Sequence, residues 1–348
     1  MKKLIAMVLA AVMVLAMVSV ASADKAEEKT YTIGICQLVQ HAALDAATEG
    51  FKAALTEKLG DSVKFDEQNA QGDIPTCSTI VTGFVANEYD LIMANATPAL
   101  LAAVSATDTI PILGTSVTDY ATALAIEDMD ATVGTGINVS GTSDGVPAQL
   151  YADTVMDLVP EAKKVSIVYC SAEPNSVLQA DQFIACMDEL KVETEVFTFA
   201  DSNDIQAVVT AAIEDVDAMY IPTDNTAASN MTIISNICAP AGVPIICGEE
   251  GMCGAGGLAT VSISYYDIGY VCGEMAYDVL VNGADISAMP IGYAASPEKK
   301  YNADYAEAIG FEMPDTYVAI ETELFGITES SRIPAIQPLA GILSMRNL

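Results

Sequence analysis

The chain of 348 residues carries a formal net charge of −33, because 47 acidic residues face only 14 basic ones. So acidic a protein is repelled by nucleic acids and by anionic membrane surfaces, which argues against both as partners. The length exceeds what a single hydrophobic core usually holds and favours two domains.

Residues 1–23 have the order of a secretory signal. Two lysines precede an apolar run from Leu4 to Val18, and Ala21-Ser22-Ala23 supplies the small residues of a cleavage site. We therefore predict that residues 1–23 are removed and that the mature chain is exported to the periplasmic or extracellular side, without inserting into the membrane. The alternative is an uncleaved anchor, since the apolar run approaches the length that spans a bilayer.

From Thr30 onward, short apolar runs rich in β-branched residues alternate with amphipathic stretches at helical spacing. In the first part the predicted strands are 31–36, 63–68, 90–94 and 110–114, and the predicted helices are 42–59, 73–86 and 97–105. Repeated βα units of this kind require a parallel sheet with right-handed crossovers.

An irregular, glycine-rich stretch at 117–144, with a short predicted strand at 132–137, interrupts the alternation, which then resumes. The later predicted strands are 165–169, 192–199, 218–221, 243–247, 258–264 and one beginning at Ile291. The later predicted helices are 144–158, 176–190, 204–213, 226–239, 267–282 and 302–309, with a glycine-rich loop at 248–257.

Two βα series predict an α/β fold of two Rossmann-like lobes, whose parallel sheets are joined by a multi-strand hinge. One large doubly wound sheet has the same periodicity, but the length favours two lobes. The predicted first lobe comprises 30–143 and 266–291, and the second comprises 144–265 and 292–318. Residues 319–348 form a tail with no predicted role.

The spacing of the eight cysteines does not match a recognisable disulfide framework. Most lie in apolar runs, where a cysteine behaves as a small buried hydrophobic residue, so we expect mostly free thiols. Cys247 and Cys253 are the one local pair that could form a disulfide. Their irregular spacing, without a CxxC motif, argues against a metal site.

Polar loops follow the predicted strands at the edge where open α/β sheets bind ligands. These loops are 37–41, 95–98, 116–119, 173–176 and 222–226. Hydroxyls and N–H groups at helix starts can bind a carboxylate, and a buried acid can pair with an ammonium group. Together they predict a site for a zwitterion, although helix capping explains any single loop equally well.

The sequence offers no catalytic motif. His41 is the only histidine, and a nucleophile elbow, a Walker loop and HExxH are all absent. The segment from Gly254 to Ala259 fits a dinucleotide pattern formally, but it precedes a strand instead of opening a helix. We predict that the protein is not an enzyme and uses neither a cofactor nor a metal.

Seven segments between about Tyr31 and Pro314 resemble, in order, the ABC-transporter substrate-binding family that includes tryptophan- and tyrosine-binding proteins. They are QLVQHAALDAATEGF, ANATPALL, SVTDY, NVSGTSDGVP, VYCSAEPNSV, IPTDNT and YYDIGYVCGEMAYDVLVNG. The resemblance implies a type I periplasmic-binding-protein fold whose lobes close on a small solute, with an aromatic amino acid (tryptophan, tyrosine or phenylalanine) favoured. It implies an ABC permease with its ATPase as partner.

The same resemblance leaves alternatives open. A ligand-sensing receptor ectodomain of the same fold would bind a solute without delivering it to a permease. A binding protein for a different small solute would share the fold and the hinge. The lipobox cysteine common in such proteins is absent, so the resemblance does not imply a lipid anchor.

The resemblance also assigns ligand contacts by position. Thr97 and the loop from Ser116 to Thr118 would bind the carboxylate, and Asp224 with Asn225 would hold the ammonium group. Further second-lobe contacts would be Glu173, Asn175 and Ser176. Residues lining the side-chain pocket would be Gln37, His41 and Tyr265.

Overall fold

The computed structural model describes residues 29–320 and contains two α/β lobes, each a sheet flanked by helices. This arrangement confirms the predicted fold class. The predicted signal at 1–23 and the tail beyond Ile320 lie outside the described residues. None of the described helices is both long and apolar enough to cross a bilayer.

The elements alternate along the chain. The strands are β1 Tyr31–Gln37, β2 Val63–Asn69, β3 Leu91–Asn95, β4 Ile112–Val117, β5 Val139–Ser143, β6 Lys164–Cys170, β7 Glu193–Phe199, β8 Ala218–Ile221, β9 Ile245–Cys247, β10 Ala259–Ser262, β11 Gly292–Tyr293, β12 Glu298–Tyr301 and β13 Val318–Ala319. The helices are α1 Ala42–Leu59, α2 Ile74–Ala86, α3 Thr97–Ala106, α4 Tyr120–Leu124, α5 Ala148–Leu158, α6 Pro174–Leu190, α7 Ile205–Ala212, α8 Asn225–Ala228, α9 Met231–Ala241, α10 Glu250–Gly256, α11 Tyr265–Leu280 and α12 Ala303–Ile309. Short 3₁₀ turns lie at Gly60–Ser62 and Ile286–Ala288.

The first lobe is a parallel sheet in the order β11-β5-β4-β3-β1-β2. Every residue of β3 and β4 is buried, because helices cover both faces of the sheet. On one face α2, α3 and α4 pack around Phe84, Leu100 and Tyr120. On the other face α1 and α11 pack through Phe51 and Cys272.

The second lobe has the order β13-β12-β10-β9-β8-β6-β7, in which β12 runs antiparallel to β10. Its core centres on Tyr220, which stacks on Phe183 with ring centroids 4.1 Å apart and lies 5.4 Å from the Tyr151 ring. The sequence did not predict β12, because its residues, Glu298–Tyr301, are mostly polar and resemble a loop.

Three connections form the hinge. The chain leaves the first sheet after β5, returns between β10 and α11, and leaves again between β11 and β12. Gly292–Tyr293 pairs with β5, so the first sheet extends two residues past the boundary predicted at 291. Likewise Val318–Ala319 pairs with β12 and Ile320 N–H donates to Tyr301 O, so the second sheet continues past 318.

Two predicted elements are wrong. The strand predicted at 132–137 is irregular, because Gly134 and Gly136 have φ of 92° and 73°, and the strand in this region is β5. The loop predicted at 248–257 contains helix α10, whose first turn is capped by the Glu249 carboxylate. That cap offsets the poor helix propensity of its glycines.

Three predicted helices have different limits. The helix predicted from Asp144 begins at Ala148, after Pro147. The helix predicted at 226–239 is two helices, α8 and α9, separated by Ser229 and Asn230. The helix predicted from Ser176 begins at Pro174, because proline is well suited to a first helical turn.

All eight cysteines are free thiols in the structure, and only Cys186 is not fully buried. Cys247 and Cys253, the pair that could form a local disulfide, are both free, and burial, together with the neighbouring Cys253 thiol, raises the pKa of Cys247. Both belong to the strand-and-helix unit that carries Glu249.

We predict that Gly269→Ala destabilises the protein by on the order of 1–3 kcal/mol, because overpacked cores cost about that much. A Cβ atom on Gly269 would overlap the Ala47 carbonyl oxygen, where α11 crosses α1. Urea unfolding measures the change. The matched control is Gly83→Ala in α2, where nothing lies within 4 Å and alanine should stabilise the helix. Equal stability of the two variants would contradict the prediction.

Candidate ligand-binding site

A small, partly enclosed cavity lies between the lobes, at the carboxyl ends of the strands. Such edges bind ligands in open α/β sheets. The first lobe supplies His41, Leu44, Ser116 and Thr118, and the hinge supplies Asp144 and Tyr265. The second lobe supplies Asn175, Thr223, Asp224, Asn225, Ala228 and Glu249.

The two lobes are closed over this cavity. His41 Nε2 lies 3.1 Å from Asn225 Oδ1 of the opposite lobe. The Thr118 and Thr223 hydroxyls also meet across the cleft, with their oxygens 3.5 Å apart. These contacts require the lobes to be together, so the structure represents a closed state.

Ser116 gives the first-lobe wall an unused hydroxyl. It lies near the end of β4 with φ of 55°, a left-handed conformation that is unfavourable for serine and typical of functional sites. Its Oγ is buried and has no hydrogen-bond partner among residues 29–320. The Thr118 hydroxyl lies two residues further on, so this loop presents two hydroxyls to the cavity.

Asp144 lies in the hinge. Of the buried acids that line the cavity, it is the one whose carboxyl is most available to bind a ligand. Its Oδ2 accepts a 2.7 Å hydrogen bond from the Tyr265 hydroxyl, which joins two of the three hinge connections. Its Oδ1 is buried and makes no hydrogen bond within residues 29–320, although the nearby Thr118 hydroxyl partly offsets the effect of burial on the pKa of this carboxyl. Burial raises the pKa of the Asp144 carboxyl. A ligand that donates a charged hydrogen bond would satisfy this oxygen.

Asp224 is more fully hydrogen-bonded than Asp144, because protein donors reach both of its oxygens. Oδ1 accepts from Ala227 N at 2.8 Å, which caps α8. Oδ2 accepts from Cys170 N and from the Ser176 hydroxyl, each at 2.7 Å. Burial, followed by the nearby charge of Glu173, raises the pKa of Asp224 to about 8. Asp224 thus ties β6, α6 and α8 together at the cavity wall.

Glu173 lies behind the same wall and holds its loops in place through hydrogen bonds. Its Oε1 accepts from the N–H and hydroxyl of Thr226, and its Oε2 accepts from the N–H and the side-chain amide of Asn225. The neighbouring Asn175 donates through Nδ2 to Thr223 O at 2.8 Å. Its Oδ1 is buried without a partner in the described structure, and the residue lines the cavity.

Glu249 adds a third carboxylate to the cavity wall. It follows β9 and accepts from the backbone N–H groups of Gly251 and Met252. Burial raises its pKa to about 7. No lysine or arginine of the described chain lines the cavity, and burial lowers the pKa of His41, which favours its neutral form. The cavity therefore holds buried acids without a cation, an environment that favours a positively charged ligand group.

Most of the predicted contacts meet at the cavity. Those that line it are His41, Ser116, Thr118, Asn175, Asp224, Asn225 and Tyr265. Glu173 and Ser176 lie behind the wall and hold its loops. The structure therefore places most of the predicted set in one location.

Two predicted contacts lie elsewhere. Thr97 lines a small neighbouring pocket with Asn175, and its Oγ1 is buried without a partner in residues 29–320. Gln37, predicted to line the side-chain pocket, lies outside the cavity wall. Its amide bonds to Thr48, Asp45 and Val39 within the first lobe, so its polar atoms are used there.

The predicted set did not include five residues that line the cavity: Leu44, Asp144, Thr223, Ala228 and Glu249. Asp144 directly follows β5, and Glu249 comes two residues after β9. The rule that identified the other loops would have identified Asp144 if β5 had been placed correctly. The end of β9 was predicted correctly, and Glu249, in the predicted loop after it, was overlooked. Leu44 and Ala228 carry no polar group that the sequence could have distinguished.

The sequence matches the family described as ABC transporter substrate binding protein over residues 32–323. It is 36% identical over 288 residues to a tyrosine-binding protein of Clostridioides difficile (strain R20291), and the match covers 82% of each chain. These comparisons cover nearly the whole of the described structure.

Two solved structures extend the comparison. The ABC domain from Streptococcus pneumonia in complex with L-Trp is 31% identical, with a TM-score of 0.78, over 84% of this chain and 100% of that one. A ligand-free, open substrate binding protein from Clostridium difficile is 35% identical, with a TM-score of 0.63 over the same shares. The lower score for the open structure, despite its higher identity, agrees with the closed lobes seen here.

We predict that the ligand-free protein loses about 1–2 kcal/mol of stability between about pH 6.5 and about pH 8. The folded pKa values of Asp224 and Glu249 lie above those of an unfolded chain, so these two carboxyls release protons over this range in the folded state, whereas in the unfolded chain they are already ionised. Stability therefore falls as the pH rises. Urea unfolding at both pH values measures the loss.

The matched variant is Glu249→Gln, which lacks the carboxyl with the pKa of about 7 and should show a smaller fall. A stability that stays constant or rises over this range in the unmodified protein would contradict the prediction.

Proposed function

The chain belongs to the ABC transporter substrate-binding protein family, and on that premise we propose that it captures an aromatic amino acid outside the cytoplasmic membrane. Its relatives include a tyrosine-binding protein and a domain solved with L-Trp, which supports an aromatic ligand. It binds without chemical conversion and delivers the ligand to an ABC permease with its ATPase.

One observation supports the zwitterionic ligand most strongly. Asp144 Oδ1 is buried in the closed cleft and accepts no hydrogen bond from the described protein. An unpaired buried carboxylate is costly, whereas an ammonium group would supply both the donor and the opposite charge. Asn175 Oδ1, also buried without a partner, can accept a second of the three ammonium hydrogens.

The ligand carboxylate is assigned to the first lobe. Ser116 and Thr118 present hydroxyl donors at the end of β4, and Thr97 lies at the start of α3 in the adjoining pocket. Hydroxyls and the N–H groups at a helix start favour an anion. With the carboxylate here and the ammonium group near Asp144, the ligand carboxylate meets hydrogen-bond donors and its ammonium group meets acceptors.

The remaining part of the cavity suits a ring. Leu44 and Ala228 supply apolar surface from the two lobes.

Closure follows from the position of the contacts. The ligand carboxylate meets the first lobe, its ammonium meets the hinge and the second lobe, and all are satisfied together only when the lobes are closed. The ligand stabilises the closed state by the contacts that the open state lacks. Glu173 and Ser176 hold the second-lobe loops in place beforehand, and the permease would recognise the closed form.

Calorimetric titration tests the proposed function. The protein, unfolded and refolded to remove bound ligand, is titrated with tryptophan, tyrosine, phenylalanine and leucine. We expect at least one aromatic amino acid to bind with a micromolar or lower dissociation constant, about −8 kcal/mol or better, and leucine to bind more weakly. Absence of binding by all the aromatic amino acids would refute the proposal.

We also predict that Asp144→Asn weakens binding of that amino acid by about 2–5 kcal/mol, because it removes the charge opposite the ammonium group. The same titration measures the loss. The control is Asp108→Asn, since Asp108 is exposed in the loop after α3 and should leave affinity unchanged. An unchanged affinity in Asp144→Asn would remove Asp144 from the site.

A further inference from the structure

The hydrogen bonds around His41 fix which of its ring nitrogens carries the proton. The Glu173 carboxylate accepts from Asn225 Nδ2 at 2.6 Å, and a carboxylate can only accept, so the Asn225 amide cannot be flipped. Asn225 Oδ1 therefore faces His41 Nε2 at 3.1 Å. An oxygen in that position requires a donor, so the His41 proton is on Nε2.

The other nitrogen, Nδ1, is consequently a hydrogen-bond acceptor. It is buried, and no group within residues 29–320 donates to it. Burial also lowers the pKa of His41, which favours the neutral ring with a lone pair on Nδ1. A buried acceptor without a donor is unfavourable, so the missing donor is expected on the ligand.

His41 lies between the two elements that supply the apolar lining of the cavity. It immediately precedes α1, whose first turn contributes Leu44, and it contacts α8, which contributes Asn225 and Ala228. The hydroxyls of the first-lobe loop belong instead to Ser116, near the end of β4, and to Thr118, directly after it. The group that reaches His41 is therefore the ligand side chain rather than its carboxylate.

We propose that His41 Nδ1 accepts a hydrogen bond from the ring of the ligand, so that the site selects aromatic amino acids with a ring O–H or N–H over phenylalanine. This inference rests on the proposed function and specifies its ligand: a phenol, as in tyrosine, or an indole, as in tryptophan. A site that hydrogen-bonds such a donor discriminates against an analogue that lacks it, because the acceptor is then left buried and unpaired.

Ligand analogues test the proposal on the unaltered protein. Tyrosine is compared with phenylalanine and O-methyltyrosine, and tryptophan with 1-methyltryptophan, by calorimetric titration of the refolded protein. For the amino acid that binds, we expect removal of the donor to weaken binding roughly ten- to hundredfold. Phenylalanine binding within about threefold of both tyrosine and tryptophan would overturn the inference while leaving the proposed function intact. Absence of binding by all three would overturn both.

Two variants identify His41 as the group responsible. His41→Gln keeps a donor for Asn225 Oδ1 but removes the acceptor at the Nδ1 position, so the preference over phenylalanine should fall toward unity. His41→Asn keeps an acceptor near the Nδ1 position but removes the contact to Asn225. It should weaken all aromatic ligands to a similar degree and retain the preference. An unchanged preference in His41→Gln would overturn the assignment, and thermal melts confirm that each variant is folded.

Discussion

The closed cleft buries three carboxylates, those of Asp144, Asp224 and Glu249, and within the described chain no basic side chain lines it. Burying an ionised carboxyl without a partner is costly, and burial accordingly raises the pKa values of all three acids. The rest of the site is arranged around that cost. Loops at the strand ends supply backbone donors, and the hinge supplies the Tyr265 hydroxyl.

The three acids have two different structural roles. Asp224 and Glu249 accept from backbone N–H groups at the starts of α8 and α10, so they fix the second-lobe wall before a ligand arrives. Asp144 keeps one oxygen free and lies in a connection that moves when the lobes open. A ligand that binds both this oxygen and the first-lobe hydroxyls makes all of these contacts only in the closed state. Its binding therefore stabilises the closed conformation of the hinge.

The fold could be predicted from the sequence because buried parallel strands read as apolar runs and their helices as amphipathic stretches. Helix α1 is an example, since its limits, Ala42 and Leu59, were predicted correctly. Strand β5, Val139–Ser143, was missed because its sequence, VSGTS, is small and polar. Asp144 was consequently not recognised as a strand-end residue. The direction of a side chain could not be predicted either, since Gln37 ends strand β1 but its amide forms hydrogen bonds within its own lobe.

The most direct test of the account uses whichever of tyrosine and tryptophan binds more tightly. That amino acid is compared with its desamino analogue, which keeps the ring and the carboxylate but lacks the ammonium group. Calorimetric titration of the refolded protein at neutral pH measures both affinities. Because the buried acids require a cation, we expect the analogue to bind at least about a hundredfold more weakly. Equal affinities would show that the carboxylates of the cavity do not hold an ammonium group, and would contradict the account.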